Sequence, residues 1–215
     1  MKNHMPRAVK CMLLVSLLLA NGLQATASAS GGHKGARPAA IAAEDSFRHW
    51  AAPHSALVTE YQQFLDRRQL GHVAPMRFLL RSARMWRECG ASEFALAPKE
   101  QWSNIVPTLR VVRDLQAAGL VDARRVASGY RDGALNQCAG GSTRSRHVFN
   151  NALDFDLADS PGNVVRLCQY WRDKGPALKL GLGFYTDTRI HLDTSGFRTW
   201  GADHTHKTSL CNQSS

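Results

Sequence analysis

The chain has 215 residues, 44% of them hydrophobic, and 27 Lys and Arg against 17 Asp and Glu give it a formal net charge of +10. Beyond the first thirty residues no run is long and apolar enough to cross a bilayer as a helix, so the remainder is expected to be soluble once exported. About 170 residues remain for one domain with a real hydrophobic core.

Lys2, Arg7 and Lys10 precede an apolar run from Cys11 to Ala20, and the small-residue sites Ala25-Thr26-Ala27 and Ala27-Ser28-Ala29 follow. This is the pattern of a secretory signal peptide over residues 1–27, too short to stay in a membrane, so no stable insertion is expected once it is removed. Its loss takes three positive charges and no negative ones, lowering the formal charge from +10 to +7. Export to the periplasm or cell envelope makes an anionic wall polymer, rather than nucleic acid, the partner expected of a basic surface; the charge otherwise serves solubility. An oxidising compartment also predicts two disulfides among Cys89, Cys138, Cys168 and Cys211, in any of three connectivities. There is no CxxC, so a Cys-ligated zinc is not proposed.

Residues 28–43 are rich in Gly, Ala and Pro and read as a flexible tail. A helical segment over 44–97 comes next. Leu57, Tyr61, Phe64 and Leu65 share one helical face, and Met76, Leu79, Leu80, Ala83 and Trp86 share another. The core segment, 98–202, opens with a third helix carrying Ile105, Leu109, Val112 and Leu115, which Gly119 ends. Val126-Ala127-Ser128 is a short strand, and residues 129–143 form a long loop with one helical turn. From Ala152 to Leu157, apolar Leu153, Phe155 and Leu157 alternate with Ala152, Asp154 and Asp156, the period of a strand with one apolar face. Asn163 is expected to cap a helix with Val164, Leu167, Cys168 and Trp171 on its inner face, stopped by Gly175-Pro176. Leu182 to Tyr185 and Arg189 to Leu192 flank Thr186-Asp187-Thr188 as a hairpin. Residues 203–215 form a C-terminal tail. The fold class is α+β: N-terminal helices followed by a small, mainly antiparallel sheet carrying a zinc site.

That site is read from His147, Asp154 and His191. Two neutral imidazoles and a carboxylate leave a tetrahedral zinc one open position for water, the ligand set of a zinc hydrolase. The pair in Asp203-His204-Thr205-His206 competes, because a His-x-His on extended chain turns both rings to one side and His206 could replace His191. A Ser-based triad would need a Gly-x-Ser-x-Gly elbow, which is missing, and Gly140-Gly141 lacks the Lys of a phosphate loop.

Ser128-Gly129-Tyr130-Arg131, Asn136, Gly140-Gly141, Ser145-x-His147, Ala152-x-Asp154 and His191-Leu192-Asp193-Thr194 with Trp200 resemble the M15 peptidases. The resemblance is to the branch of zinc D-alanyl-D-alanine carboxypeptidases and murein endopeptidases, and it spans roughly Pro98 to Trp200. It implies that His147, Asp154 and His191 hold Zn2+ and that the planar fork of Arg131 meets a substrate carboxylate. Ser145 would bond a ligand or the substrate. Proton transfer falls to Asp193 first and Asp187 second, because Thr188 stands where some relatives carry an acid. Asn150 replaces a frequent Gly, keeping a residue that tolerates left-handed backbone, and Ser195-Gly196 departs from an immediate Thr-Gly in a way that touches substrate contacts. The expected activity is hydrolysis of peptidoglycan stem peptides or cross-links by metal-activated water. The alternative is a non-catalytic wall-binding protein whose structural metal has its fourth position filled by His204 or His206.

Overall fold

Tyr61 and Leu65 are almost fully buried and anchor α2 (Ser55–Asp66), which follows α1 (Ala36–Ala51) through a short 3-10 turn. The computed structural model describes residues 36–158, 160 and 162–213. The signal-peptide segment therefore lies outside the described residues, as does the start of the stretch 28–43; from Ala36 that stretch is helical rather than a flexible tail.

The second helical stripe is only partly realised. Helix α3 (Met76–Leu79) is a single turn, and Ala83 and Trp86 lie beyond it. Backbone pairing elsewhere competes with the helix. Ala95 donates its N–H to Leu80 O at 2.9 Å, Ser82 to Glu93 O at 2.9 Å, and Gly129 to Arg81 O at 2.7 Å, so the helix stops at Leu80 and Arg81 forms an antiparallel bridge with Phe94. A period of apolar residues cannot show that the carbonyls between them have other partners.

The third stripe forms a 3-10 turn from Lys99 to Ile105 and then α4 (Val106–Ala117). Gly119 ends it as expected: at φ 68° it lets Leu120 N–H reach back to Leu115 O at 2.9 Å. After β1 (Val126–Ser128), the predicted helical turn appears as α5 (Gly133–Cys138), capped by Asp132, whose carboxylate accepts from Leu135 N–H at 2.8 Å.

Strand β2 (Ala152–Asp156) and helix α6 (Asn163–Leu178) come next. Asn163 is not the cap. Gly162, at φ 75°, takes that position, while Asn163 is buried and donates to Leu120 O at 3.2 Å. The helix also passes through Gly175-Pro176 to Leu178, since a proline in the last turn costs only one ladder bond. Strands β3 (Gly181–Phe184) and β4 (Arg189–Asp193) make the expected hairpin, and β5 (Arg198–Trp200) completes a sheet of order β1-β2-β4-β3-β5. Every neighbouring pair is antiparallel except β3 with β5.

A single core joins the layers. Leu65, Leu109 and Leu115 from the helices pack in one cluster with Phe155, Phe184, Ile190 and Leu192 of the sheet and Leu167 of α6. The segment 44–97 thus shares the core of the sheet, because a helix with one apolar stripe has to bury it against another element. The C-terminal tail is folded as well: α7 (Leu210–Gln213) is fastened to α6 by Cys168–Cys211, and Arg172 donates to Cys211 O at 3.0 Å. The other disulfide is Cys89–Cys138. Among the described residues no helix is long and apolar enough to cross a membrane.

Candidate metal centre

Antiparallel pairing of β2 with β4 sets Asp154 directly opposite His191, with Gly183 of β3 on the far side of His191. Directly opposed residues share a face, so carboxylate and imidazole meet without any loop to place them. His147 arrives from the turn before β2. Asn150 reverses that turn at φ 52°, its side chain donating to Gln101 O at 3.1 Å, so it supplies the left-handed conformation expected of it.

Three atoms converge. His147 Nε2 lies 3.1 Å from Asp154 Oδ1 and 3.1 Å from His191 Nδ1, and His191 Nδ1 lies 2.9 Å from Asp154 Oδ1. Ligands on one face of a tetrahedral zinc at about 2.0–2.1 Å stand roughly 3.3 Å apart, so the triangle is close to the size a metal needs. The opposite ring nitrogens settle the protonation. His147 Nδ1 is 2.7 Å from Gly129 O, and His191 Nε2 is 2.9 Å from Asp193 Oδ2; carbonyl and carboxylate only accept, so both of those nitrogens carry hydrogen. In neutral rings the lone pairs then face Asp154 across the triangle. Three acceptors 3 Å apart repel unless a cation stands among them, and the residues fit a metal on that ground.

The electrostatics agree. Burial would raise the Asp154 carboxyl, but His147 and His191 outweigh it and hold the group below the ordinary carboxylate range. Burial lowers His147, favouring the neutral, ligating form. For His191 burial acts in the same direction, yet Asp154 and Asp193 outweigh it and raise the ring, so a proton competes with a metal for His191 Nδ1.

The cluster opens onto a cavity of about 1090 Å³ lined also by Arg131, Ser145, Tyr185, Trp200 and His204. Arg131 is 8% exposed, its Nη2 is 3.7 Å from Asp154 Oδ2, and its Nε is buried without a partner. Such an orphaned donor beside a cavity is suited to an incoming acceptor. Asp193 does not open onto the cavity. It sits fully buried behind His191, where Arg198 grips both oxygens at 3.0 and 2.5 Å and Ser195 N–H donates at 2.8 Å. Burial would raise this carboxyl too, but His191 and Arg198 hold it low. Ser195 thus wraps Asp193 through its backbone. Asp187 is exposed in the β3–β4 turn and does not line the cavity. His204 and His206 are on the cavity wall, but the three-atom set is completed by His191; His206 is exposed, within 3.2 Å of Asn212 Nδ2.

Two participants escape the sequence reading. Tyr185 places its hydroxyl 3.4 Å from Asp154 Oδ1, and its ring stands edge-on to His191. Its signal was the alternation Gly181, Gly183, Tyr185, which runs along the site face of β3 while Leu182 and Phe184 enter the core. Arg198 is the other, and its grip on Asp193 depends on β5 lying parallel to β3. The glycines make that packing fit. A Cβ on Gly183 would lie 2.2 Å from the Trp200 indole, whose ring is 5.0 Å from that of His191.

No curated protein and no solved structure matches this chain significantly. A family model described as peptidase M15 matches residues 80–193, from the extended segment that receives Gly129 to the carboxylate behind His191. That stretch covers more than half of the sequence and includes all three converging side chains, so the chain belongs to the peptidase M15 family.

Proposed function

We propose that the protein is an exported zinc peptidase that hydrolyses peptide bonds in peptidoglycan stem peptides or their cross-links. The observation that carries this is the convergence of two imidazole lone pairs and a carboxylate at the wall of an open cavity, with the unpaired Nε of Arg131 beside them. The leader pattern of residues 1–27 and the two disulfides support export.

A zinc ion held by His147, Asp154 and His191 would supply a water made acidic enough to act at neutral pH and a Lewis acid for the scissile carbonyl. The chain supplies the rest. Arg131 holds a substrate carboxylate and so fixes the peptide against the centre. Tyr185, protonated because burial raises its hydroxyl, donates to the oxygen on which charge develops. Ser145, two residues before the first ligand, borders the substrate. Asp193, with its oxygens already engaged by His191, Arg198 and Ser195, holds His191 in its ligating tautomer rather than moving the proton. We assign that step to His204, which lines the cavity with its ring 6.2 Å from that of Tyr185.

The wall-binding alternative needs a fourth protein ligand, and the described residues bring three together. Purified protein is expected to carry one zinc and to release either free D-alanine or un-cross-linked peptides from purified peptidoglycan. The product identifies the bond. Stoichiometric zinc with no product from any wall preparation would overturn the enzyme reading. Tyr185→Phe is expected to lower kcat by about 10²-fold with KM and zinc content little changed. A fall in zinc affinity instead would mean that the hydroxyl serves Asp154 alone.

A further inference from the structure

Among the described residues six arginines line the cavity, against one acid, Asp154, which belongs to the candidate metal cluster. Three of the six are held from behind by two carboxylates. Arg84 and Arg189 reach Asp156 at 2.5 and 3.5 Å, and Arg198 is held by Asp193. Arg131 stands over Asp154, with one donor unpaired. Arg144 and Arg146 remain: among the described residues neither side chain has an ion pair or hydrogen bond.

These two arginines stand on a fastened segment. Gly141 N–H donates to Asn136 O at 2.8 Å, the buried Asn136 side chain donates to Ser142 O at 2.9 Å, and Ser145 N–H closes a turn onto Ser142 O at 2.9 Å. Asn136 belongs to α5, which Cys89–Cys138 ties to the segment contributing Ala83, Arg84 and Met85 to the lining. Little backbone freedom is therefore lost when a ligand arrives.

We propose that Arg144 and Arg146 form a second anion subsite, which takes a carboxylate of the substrate additional to the one held by Arg131. One carboxylate balances Arg131 and leaves two like charges two residues apart at the cavity wall; a second carboxylate removes that repulsion and gains charge-assisted hydrogen bonds. The substrate is thus a peptide with at least two free carboxylates, which a wall stem peptide provides at its terminus and along its length. This rests on the peptidase reading above and narrows it to acidic peptides.

The test compares a synthetic stem peptide carrying free carboxylates at its second and third residues with the same peptide in which both are carboxamides. The protein is expected to cleave the acid form with kcat/KM about tenfold higher, and Arg144→Ala/Arg146→Ala to bring that ratio toward one while zinc stays stoichiometric. Equal kcat/KM for the two peptides, or a ratio unchanged in the double variant, would overturn the subsite. If neither peptide is cleaved, digestion of purified peptidoglycan decides the peptidase reading separately, and calorimetric binding of the same two peptides decides the subsite: tighter binding of the acid form supports it and equal binding refutes it.

Discussion

His147→Ala is expected to abolish stoichiometric zinc binding and to lower peptide hydrolysis by at least about 10³-fold. The variant loses the atom that closes the triangle with Asp154 and His191, leaving two ligands where a catalytic site needs three. The effect on the metal-free fold should be small by comparison. The alanine leaves Gly129 O without the donor it has from His147 Nδ1 at 2.7 Å, a cost of about 1–3 kcal/mol for one buried carbonyl. Metal analysis and thermal unfolding separate the two effects. Zinc should raise the melting temperature of the wild type and leave that of the variant unmoved, because only a ligand that binds the native state stabilises it. A variant that still binds one zinc tightly would remove His147 from the centre.

Asp193→Asn should weaken zinc binding by about 10–100-fold. An amide can no longer fix the hydrogen on His191 Nε2 by charge, and it presents a donor where His191 and Arg198 both donate to a carboxylate. Some stability goes as well, about 1–2 kcal/mol, less than for a fully buried pair because the Arg198 side chain is more than a third exposed. Competition with a chelator of known affinity reads the first effect. The same measurement discriminates the two roles open to this residue. A proton acceptor would lower kcat at unchanged zinc affinity, whereas an orienting carboxylate lowers the affinity itself.

The pattern around the site was more legible than its surroundings. Alternation in Ala152–Leu157 placed Asp154 on the face away from Leu153 and Phe155, and the hairpin around Thr186-Asp187-Thr188 put His191 on a neighbouring strand. The errors fell where hydrogen bonds from distant chain decide the outcome. Residues 80–82 leave the helix because Glu93, Ala95 and Gly129 pair with them, and Asn163 yields the cap to Gly162 because its side chain serves Leu120. Tyr185 and Arg198 lay in plain view, but they matter only because β3 flanks β4 and β5 runs parallel on the other side of β3.

What the sequence by itself determined was the chemistry on offer: which residues could ligate, which could meet a carboxylate, and the strand period that turns Asp154 to one face. These follow from residue type and short spacing, which are local. The tertiary structure alone decided which histidine completes the set, since His191 lies opposite Asp154 in register whereas His206 is exposed at the cavity wall. It alone paired the cysteines, and it alone put Asp193 behind His191 instead of before the cavity. A residue's neighbours across a sheet are fixed by register and strand order, and both are set by the packing of the whole core rather than by any stretch of chain.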